Sequence, residues 1–124
     1  MHNYKELKIW QKAIDLTEQI YGLTAGFPQE ERYGLSSQIQ RASISISSNI
    51  AEGSSRESIK EFNHFLSISL GSSFEMETQL IVAKKIGYLN QIQLENITDQ
   101  ITELIKMIRG FKKSLFSTDL KSLV

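Results

Sequence analysis

The sequence contains no cysteine, so it can form neither a disulfide bond nor a thiolate metal site. No window approaches the roughly 18 apolar residues that a membrane-spanning helix requires. The N-terminal segment MHNYKELKIW also lacks the apolar core of a signal peptide. These absences predict a cytoplasmic protein that is not associated with a membrane.

The chain has no net charge, because 14 Lys and Arg side chains balance 14 Asp and Glu side chains. Residues 1–60 and residues 61–124 each carry seven side chains of either sign. Such a chain has no global attraction to nucleic acid, so any such binding requires a local patch. The C-terminal cations Lys106, Arg109, Lys112 and Lys113 form one candidate patch. Alternatively, these cations stabilise the C-terminal end of a helix through its dipole.

The sequence also lacks the motifs of common catalytic and cofactor sites. It has no GxSxG nucleophile elbow, no GxxxxGK phosphate loop and no GxGxxG dinucleotide fingerprint. A di-iron bundle needs two Glu-x-x-His pairs, and this chain has one, at Glu61 and His64. We therefore predict no catalytic residues, no metal, no cofactor and no small-molecule substrate.

Exposed aromatic residues interleaved with basic ones, which are typical of surfaces that bind single strands, are not evident in the sequence. We expect Trp10, Tyr21 and Tyr33 to pack in the core.

Apolar residues recur at helical spacing in four segments, which are separated near Pro28, Gly53 and Gly87. The pattern predicts an all-α fold, an antiparallel up-down-up-down four-helix bundle that forms a single domain over residues 1–124. The expected helices span about residues 4–24, 31–52, 57–86 and 90–115. The expected core positions are Leu7, Trp10, Ala13, Ile14, Thr17, Ile20 and Tyr21 in the first; Leu35, Ile39, Ala42, Ile46 and Ile50 in the second; Phe62, Phe65, Leu66, Leu70, Phe74, Leu80 and Ile81 in the third; and Ile97, Ile101, Leu104, Ile105, Ile108, Phe111 and Leu115 in the fourth.

The second predicted helix carries an unusual number of polar residues. Arg41, Ser45, Ser48 and Glu52 are spaced so that they share one of its faces. This face could be a polar groove for a ligand or an RNA backbone, or a hydrogen-bonded contact with another helix. We favour the contact, within or between subunits, because buried polar networks often specify assembly.

Two features of the third predicted helix also suggest close contact. Gly71 lies in mid-helix, where glycine costs about 1 kcal/mol relative to alanine, which suggests that a neighbouring backbone approaches closely. Glu77 could meet Arg41 or Arg56 of the preceding segment.

Motifs spread along the chain resemble those of one bacterial family. They include Trp10-Gln11-Lys12-Ala13, Phe27-Pro28, Tyr33-Gly34-Leu35 and Ser48-Asn49-Ile50-Ala51-Glu52-Gly53, followed by Arg56, Glu61-Phe62, Gly71-Ser72, Glu77-Thr78-Gln79-Leu80 and Gly87-Tyr88-Leu89. Over roughly residues 5–115, this sequence resembles the four-helix-bundle family of 23S rRNA intervening-sequence proteins.

The resemblance implies a bundle that assembles as a ring-like homopentamer, with some family members encoded in insertions of 23S rRNA genes. A related bundle is the accessory variability protein of diversity-generating retroelements, which binds nucleic acid and a reverse transcriptase. The resemblance carries over a polar motif and no catalytic residue; the motif residues are Arg41, Asn49, Glu52, Arg56 and Glu77.

Three hypotheses follow from the sequence. The first is a non-enzymatic homo-oligomeric scaffold linked to ribosomal RNA or a nucleoprotein, in which the polar motif fixes helix and subunit geometry. The second is a nucleic-acid-binding accessory module that displays the C-terminal basic patch around a ring. The third is an enzyme with a site in the bundle core.

Overall fold

The computed structural model describes the backbone of residues 3–123 and the side chains of residues 3–117. The described part contains helices and no strand. Short 3-10 turns at Tyr4–Glu6 and Gln29–Glu31 precede the first two helices. The four α-helices are α1 (Lys8–Thr24), α2 (Leu35–Ser54), α3 (Ile59–Lys85) and α4 (Gln91–Leu123). The fold is therefore all-α, as the sequence predicts.

Side-chain contacts show that neighbouring helices run in opposite directions. Between α3 and α4, the Nζ atom of Lys112 donates to Ser67, and the earlier residue Arg109 contacts the later residue Phe74. The contacts between α2 and α3 and between α1 and α4 follow the same antiparallel pattern, in which later residues of one helix contact earlier residues of the other. Short connections between consecutive helices produce this arrangement, which is that of a four-helix bundle.

Local signals in the sequence set the helix ends. The Ser58 hydroxyl accepts a hydrogen bond from the backbone N–H of Glu61 and so caps α3. At the start of α4, Asn90 and Gln93 each accept a hydrogen bond from the other's backbone N–H, which is a capping box. Gly87 adopts a φ of 89°, a left-handed conformation that ends α3 and that glycine adopts without strain.

The core is formed by regular apolar positions of all four helices. In α2 and α4, the buried apolar residues are those that the periodicity predicts, with Leu35 and Phe111 partly buried. In α1, the predicted Ala13 and Ile20 are buried, and Leu7 and Trp10 pack against the core, but Ile9 and Leu16 complete the core face in place of Ile14 and Tyr21. Ile14 and Tyr21 remain 40% and 45% exposed, so the predicted stripe of α1 was rotated towards solvent.

Other sequence expectations differ from the structure at particular residues. Tyr33 is 87% exposed, and it contacts the Arg32 guanidinium and not the core. In α3, Phe74 and Ile81 are exposed, while Ser69, Ser73 and Met76 occupy buried positions. Helix α2 begins later than residue 31 because the 3-10 turn precedes it, and α4 continues past residue 115 to Leu123.

Candidate functional site

The polar residues of α2 meet α3 along a narrow seam. The Ser72 hydroxyl of α3 donates to the Ser45 hydroxyl over 2.8 Å. The Asn49 amide donates to the backbone carbonyl of Ser45 at 2.8 Å and to its hydroxyl at 3.0 Å. One layer deeper, the buried Ser69 hydroxyl donates to the Ile46 carbonyl. Because these side chains are small, the two helices can approach closely and still pair every hydroxyl.

The end of α2 carries a charged pair beside an aromatic ring. An Nη atom of Arg56 lies 2.6 Å from an Oε atom of Glu52, one helical turn earlier. The same guanidinium sits 4.8 Å from the centre of the Phe65 ring of α3. The side chains of Arg56 and Glu52 are 40% and 53% exposed, so solvent screens the pair, which stabilises the fold by less than about 1 kcal/mol.

The structure does not bring all five motif residues together. Asn49, Glu52 and Arg56 follow one another along α2 and its C-terminal end, while Arg41 is exposed two turns earlier. Glu77 is half-buried in α3, and no ion pair joins it to Arg41 or Arg56 among the described side chains. The expected pairing of Glu77 is therefore not formed within this chain.

We define the outer face as the exposed surface on both sides of the seam. In α2, Arg41 and Ser48 neighbour Ser45 at helical spacing, and both also neighbour the exposed Ile44. In α3, the outer face continues through Ile68, Gly71, Glu75 and Val82, which recur at i, i+3, i+7 and i+14. Ile44, Ile68 and Val82 are 43%, 38% and 44% exposed, so the outer face combines apolar side chains with very small ones.

One of the C-terminal cations lies beside an exposed aromatic ring. The Arg109 guanidinium is 5.6 Å from the centre of the Phe74 ring, which is 43% exposed. The Lys112 ammonium donates to the Ser67 hydroxyl over 2.7 Å. Phe116, which is 46% exposed, follows Lys112 by four residues. The sequence suggested no exposed aromatic residues among the basic ones. That expectation was wrong, because Phe74 of α3 lies beside Arg109 of α4.

The family model of 23S rRNA-intervening sequence proteins matches residues 5–110. The chain belongs to this family. A solved structure with the same fold is a protein of unknown function from the S23 ribosomal protein family of Bacteroides thetaiotaomicron. It is 26% identical, with a TM-score of 0.75, and the alignment covers 85% of this chain and 98% of that one. No curated protein matches the chain.

For this member of the 23S rRNA-intervening sequence protein family, the comparisons provide no activity to transfer. Among the described residues, no group of three His, Asp or Glu side chains is placed to hold a metal ion. His64 is exposed and packs edge-on against Phe65. Over the same residues, no helix is both long and apolar enough to cross a bilayer.

At the opposite end of this family member from the α2–α3 turn, two loops are joined by a hydrogen bond. The Tyr88 hydroxyl donates to one carboxylate oxygen of Glu31 over 2.8 Å, and the other oxygen accepts from the Leu35 N–H at the start of α2. This hydrogen bond is the main cause of a raised pKa at Tyr88. Burial and the negative charges of Glu31 and Glu30 raise that pKa further. The sequence analysis missed this contact because 57 residues separate the two side chains.

Proposed function

We propose that this protein is a non-enzymatic, homo-oligomeric scaffold that assembles through the outer face into a pentameric ring. We infer an association with 23S rRNA intervening sequences from its membership of that family. The observation that carries the proposal is the combination of exposed Ile44, Ile68 and Val82 with the small residues around them. Apolar patches exposed on a folded chain commonly mark protein contacts.

The small residues give this surface its particular chemistry. A Cβ atom added at Gly71 would meet no atom within 4 Å, so nothing among the described residues requires glycine there. Glycine in mid-helix nevertheless costs about 1 kcal/mol relative to alanine. A second copy whose backbone lies against Gly71 would offset that cost through close packing.

A ring with five members constrains the contact further. Its interfaces are heterologous, so the outer face must meet a different surface of the next copy. Exposed Ile14 on α1 offers an apolar side chain for that second surface. The charged residues Arg41, Glu52 and Glu75 at the edges of the outer face would then fix the orientation of the subunits.

Light scattering after size-exclusion chromatography tests this proposal. Five copies of a 14.1 kDa chain give about 70 kDa, which is the expected mass. We expect Gly71→Gln to lower that mass, because a bulky side chain would then occupy the contact. Gly110→Gln is the matched control, since a Cβ atom there also meets nothing within 4 Å. A monomeric wild-type chain, or an unchanged mass for Gly71→Gln, would refute the proposal.

A second candidate function is binding of single-stranded nucleic acid by the basic patch. The contact between Arg109 and the exposed Phe74 ring favours it, because single strands are held by cations beside rings on which bases stack. Phe116, close to Lys112 and Lys113, would add a second ring. In a ring of subunits, several copies of this weak patch could contact one strand together, which would raise the overall affinity through avidity.

Anisotropy of a labelled single-stranded RNA, measured at several salt concentrations, tests the second candidate. The affinity should fall steeply as the salt concentration rises. In a plot of log affinity against log salt concentration, Arg109→Ala should make the slope shallower by about 0.7, the contribution of one phosphate contact. Phe116→Ala should weaken binding at every salt concentration, whereas Lys85→Ala, at the far end of α3, should not. Absence of binding at low salt, or binding that is insensitive to salt, would exclude this function.

A further inference from the structure

A pocket of about 490 Å³ opens at the end of the bundle where α1 ends and α2 begins. One wall is apolar and consists of Tyr21, Phe27 and Pro28. The other wall is polar and carries Arg32, Ser36 and Gln40. The volume lies within the range of small-molecule sites, which combine apolar walls with a few polar groups that converge on the ligand.

Ser36 is the unusual residue of this pocket. The residue is only 5% exposed, and its hydroxyl makes no hydrogen bond to the described part of the chain. The hydroxyls of the other Ser and Thr residues that are buried as whole residues all donate to a backbone carbonyl; these residues are Thr24, Ser43, Ser47, Ser54, Ser69 and Ser73. Ser36 is the second residue of α2, so the carbonyls three and four positions earlier lie before the helix.

Three enclosed side-chain atoms of the described residues lack a partner, Asn63 Oδ1, Gln79 Oε1 and Thr98 Oγ1, and the Ser36 oxygen is not among them. It is therefore accessible from the pocket, where a ligand can supply the partner that water otherwise supplies. Ser36 lines the pocket, so a bound molecule can reach its hydroxyl. The neighbouring Glu31 carboxylate does not take this role, because it bonds the Leu35 N–H and the Tyr88 hydroxyl instead.

Gln40 is held in a fixed orientation on the same wall. Its Nε2 atom donates to the Thr24 hydroxyl over 3.0 Å, and that hydroxyl donates to the Ile20 carbonyl over 2.9 Å. The Oε1 atom of Gln40 therefore remains as an acceptor for a ligand N–H. Arg32 provides the one cation among the lining residues, with its guanidinium 5.5 Å from the Tyr33 ring.

We propose that this pocket binds an apolar α-amino or α-acylamino carboxylate, of the kind found in a free apolar amino acid or at a peptide C-terminus. Arg32 and the Ser36 hydroxyl bind the carboxylate, and Gln40 Oε1 accepts the neighbouring N–H. Tyr21, Phe27 and Pro28 contact the apolar side chain. A single arginine matches one negative charge, which favours a carboxylate over a doubly charged phosphate.

Titrations followed by the backbone amide resonances of the full chain test this proposal with three related molecules. N-acetyl-leucine represents a peptide C-terminus, leucine represents the free amino acid, and N-acetyl-leucinamide lacks the carboxylate. We expect saturable shifts around residues 21–40 with at least one of the two acids and none with the amide. The acid that binds more tightly identifies the source of the ligand.

Two variants separate binding from folding. Ser36→Ala should weaken binding of the acid about tenfold or more, because a hydrogen bond to a charged group is lost. The same variant should leave the denaturant midpoint without ligand nearly unchanged, because the Ser36 hydroxyl makes no hydrogen bond to the described residues that would be lost. Ser37→Ala, at the neighbouring position outside the pocket lining, should change neither property.

Three results would overturn the proposal. The first is an absence of saturable shifts with both acids, and the second is equal binding of the amide. The third is a set of pocket resonances that shift with protein concentration and not with either acid, which would mean that a second copy of the chain fills the pocket.

Discussion

Replacing Gly53 with alanine probes the close contact between the end of α2 and the first turns of α3. Gly53 is buried, and a Cβ atom built on it would lie 2.8 Å from Phe62 Cδ1 and 2.8 Å from Phe65 Cβ. Carbon atoms pack best about 3.5–4.0 Å apart, so each contact would have to open by roughly 0.7 Å or more.

Neither Phe62 nor Phe65 can move away without disturbing other packing. The Phe65 atom is attached directly to the α3 backbone, and Phe62 is 3% exposed with its ring packed 5.5 Å from the Phe111 ring. Overpacking of this kind typically costs about 1–3 kcal/mol of unfolding free energy. In a helix, replacing glycine with alanine also adds up to about 1 kcal/mol of stability. The cost of overpacking must therefore be measured against the same replacement at a helical glycine that has open space around it.

Gly110→Ala is that reference, because nothing lies within 4 Å of a Cβ atom there. In denaturant unfolding at one fixed protein concentration, we expect Gly53→Ala to be less stable than Gly110→Ala by about 1–3 kcal/mol. Gly53→Val should increase the difference. If Gly53→Ala equals or exceeds Gly110→Ala in stability, the described packing of α2 on α3 is wrong.

Two further predictions concern the polar contacts. The Tyr88 phenol is identified in an absorbance titration as the step that disappears in Tyr88→Phe. We expect its pKa to lie above the ordinary value of 10.0, and we expect Glu31→Gln to lower that pKa. A pKa that does not change in Glu31→Gln would contradict the hydrogen bond. Because the folded pKa exceeds the unfolded one, this stabilisation is present below pH 10.0 and is lost as the pH rises through the folded pKa. Glu52→Ala should change the unfolding free energy of the isolated chain by less than about 1 kcal/mol, since its pair with Arg56 is exposed, yet it should lower the oligomeric mass. An unchanged mass would remove Glu52 from the assembly contact.

The apolar periodicity was sufficient to predict four helices and the core faces of α2 and α4. In α1 it correctly placed Ala13 and Ile20 in the core but chose the wrong flanking residues. That helix has two adjacent apolar stripes, and spacing alone cannot choose between Ile9 with Leu16 and Ile14 with Tyr21. The choice depends on where α2 and α4 pack, which is tertiary information.

Helix α3 shows a different limit of sequence reasoning. Close packing on α2 selects Ser69 and Ser73 for buried positions, where their hydroxyls bond backbone carbonyls. Hydrophobicity alone assigns such positions to solvent and places Phe74 inside. The sequence did single out the residues that form the seam, but the partner of each one depended on contacts between helices.

Polar contacts at several heights of the bundle fix the register between neighbouring helices. Apolar stripes repeat with every turn or two, so a slip of one turn, about 5.4 Å, would still leave many apolar side chains facing each other. The bonds from Tyr88 to Glu31, from Ser72 to Ser45 and between the amides of Gln19 and Gln100 would all break in such a slip. The bundle therefore has one defined register, so groups on facing helices keep the same separation in every copy of the chain.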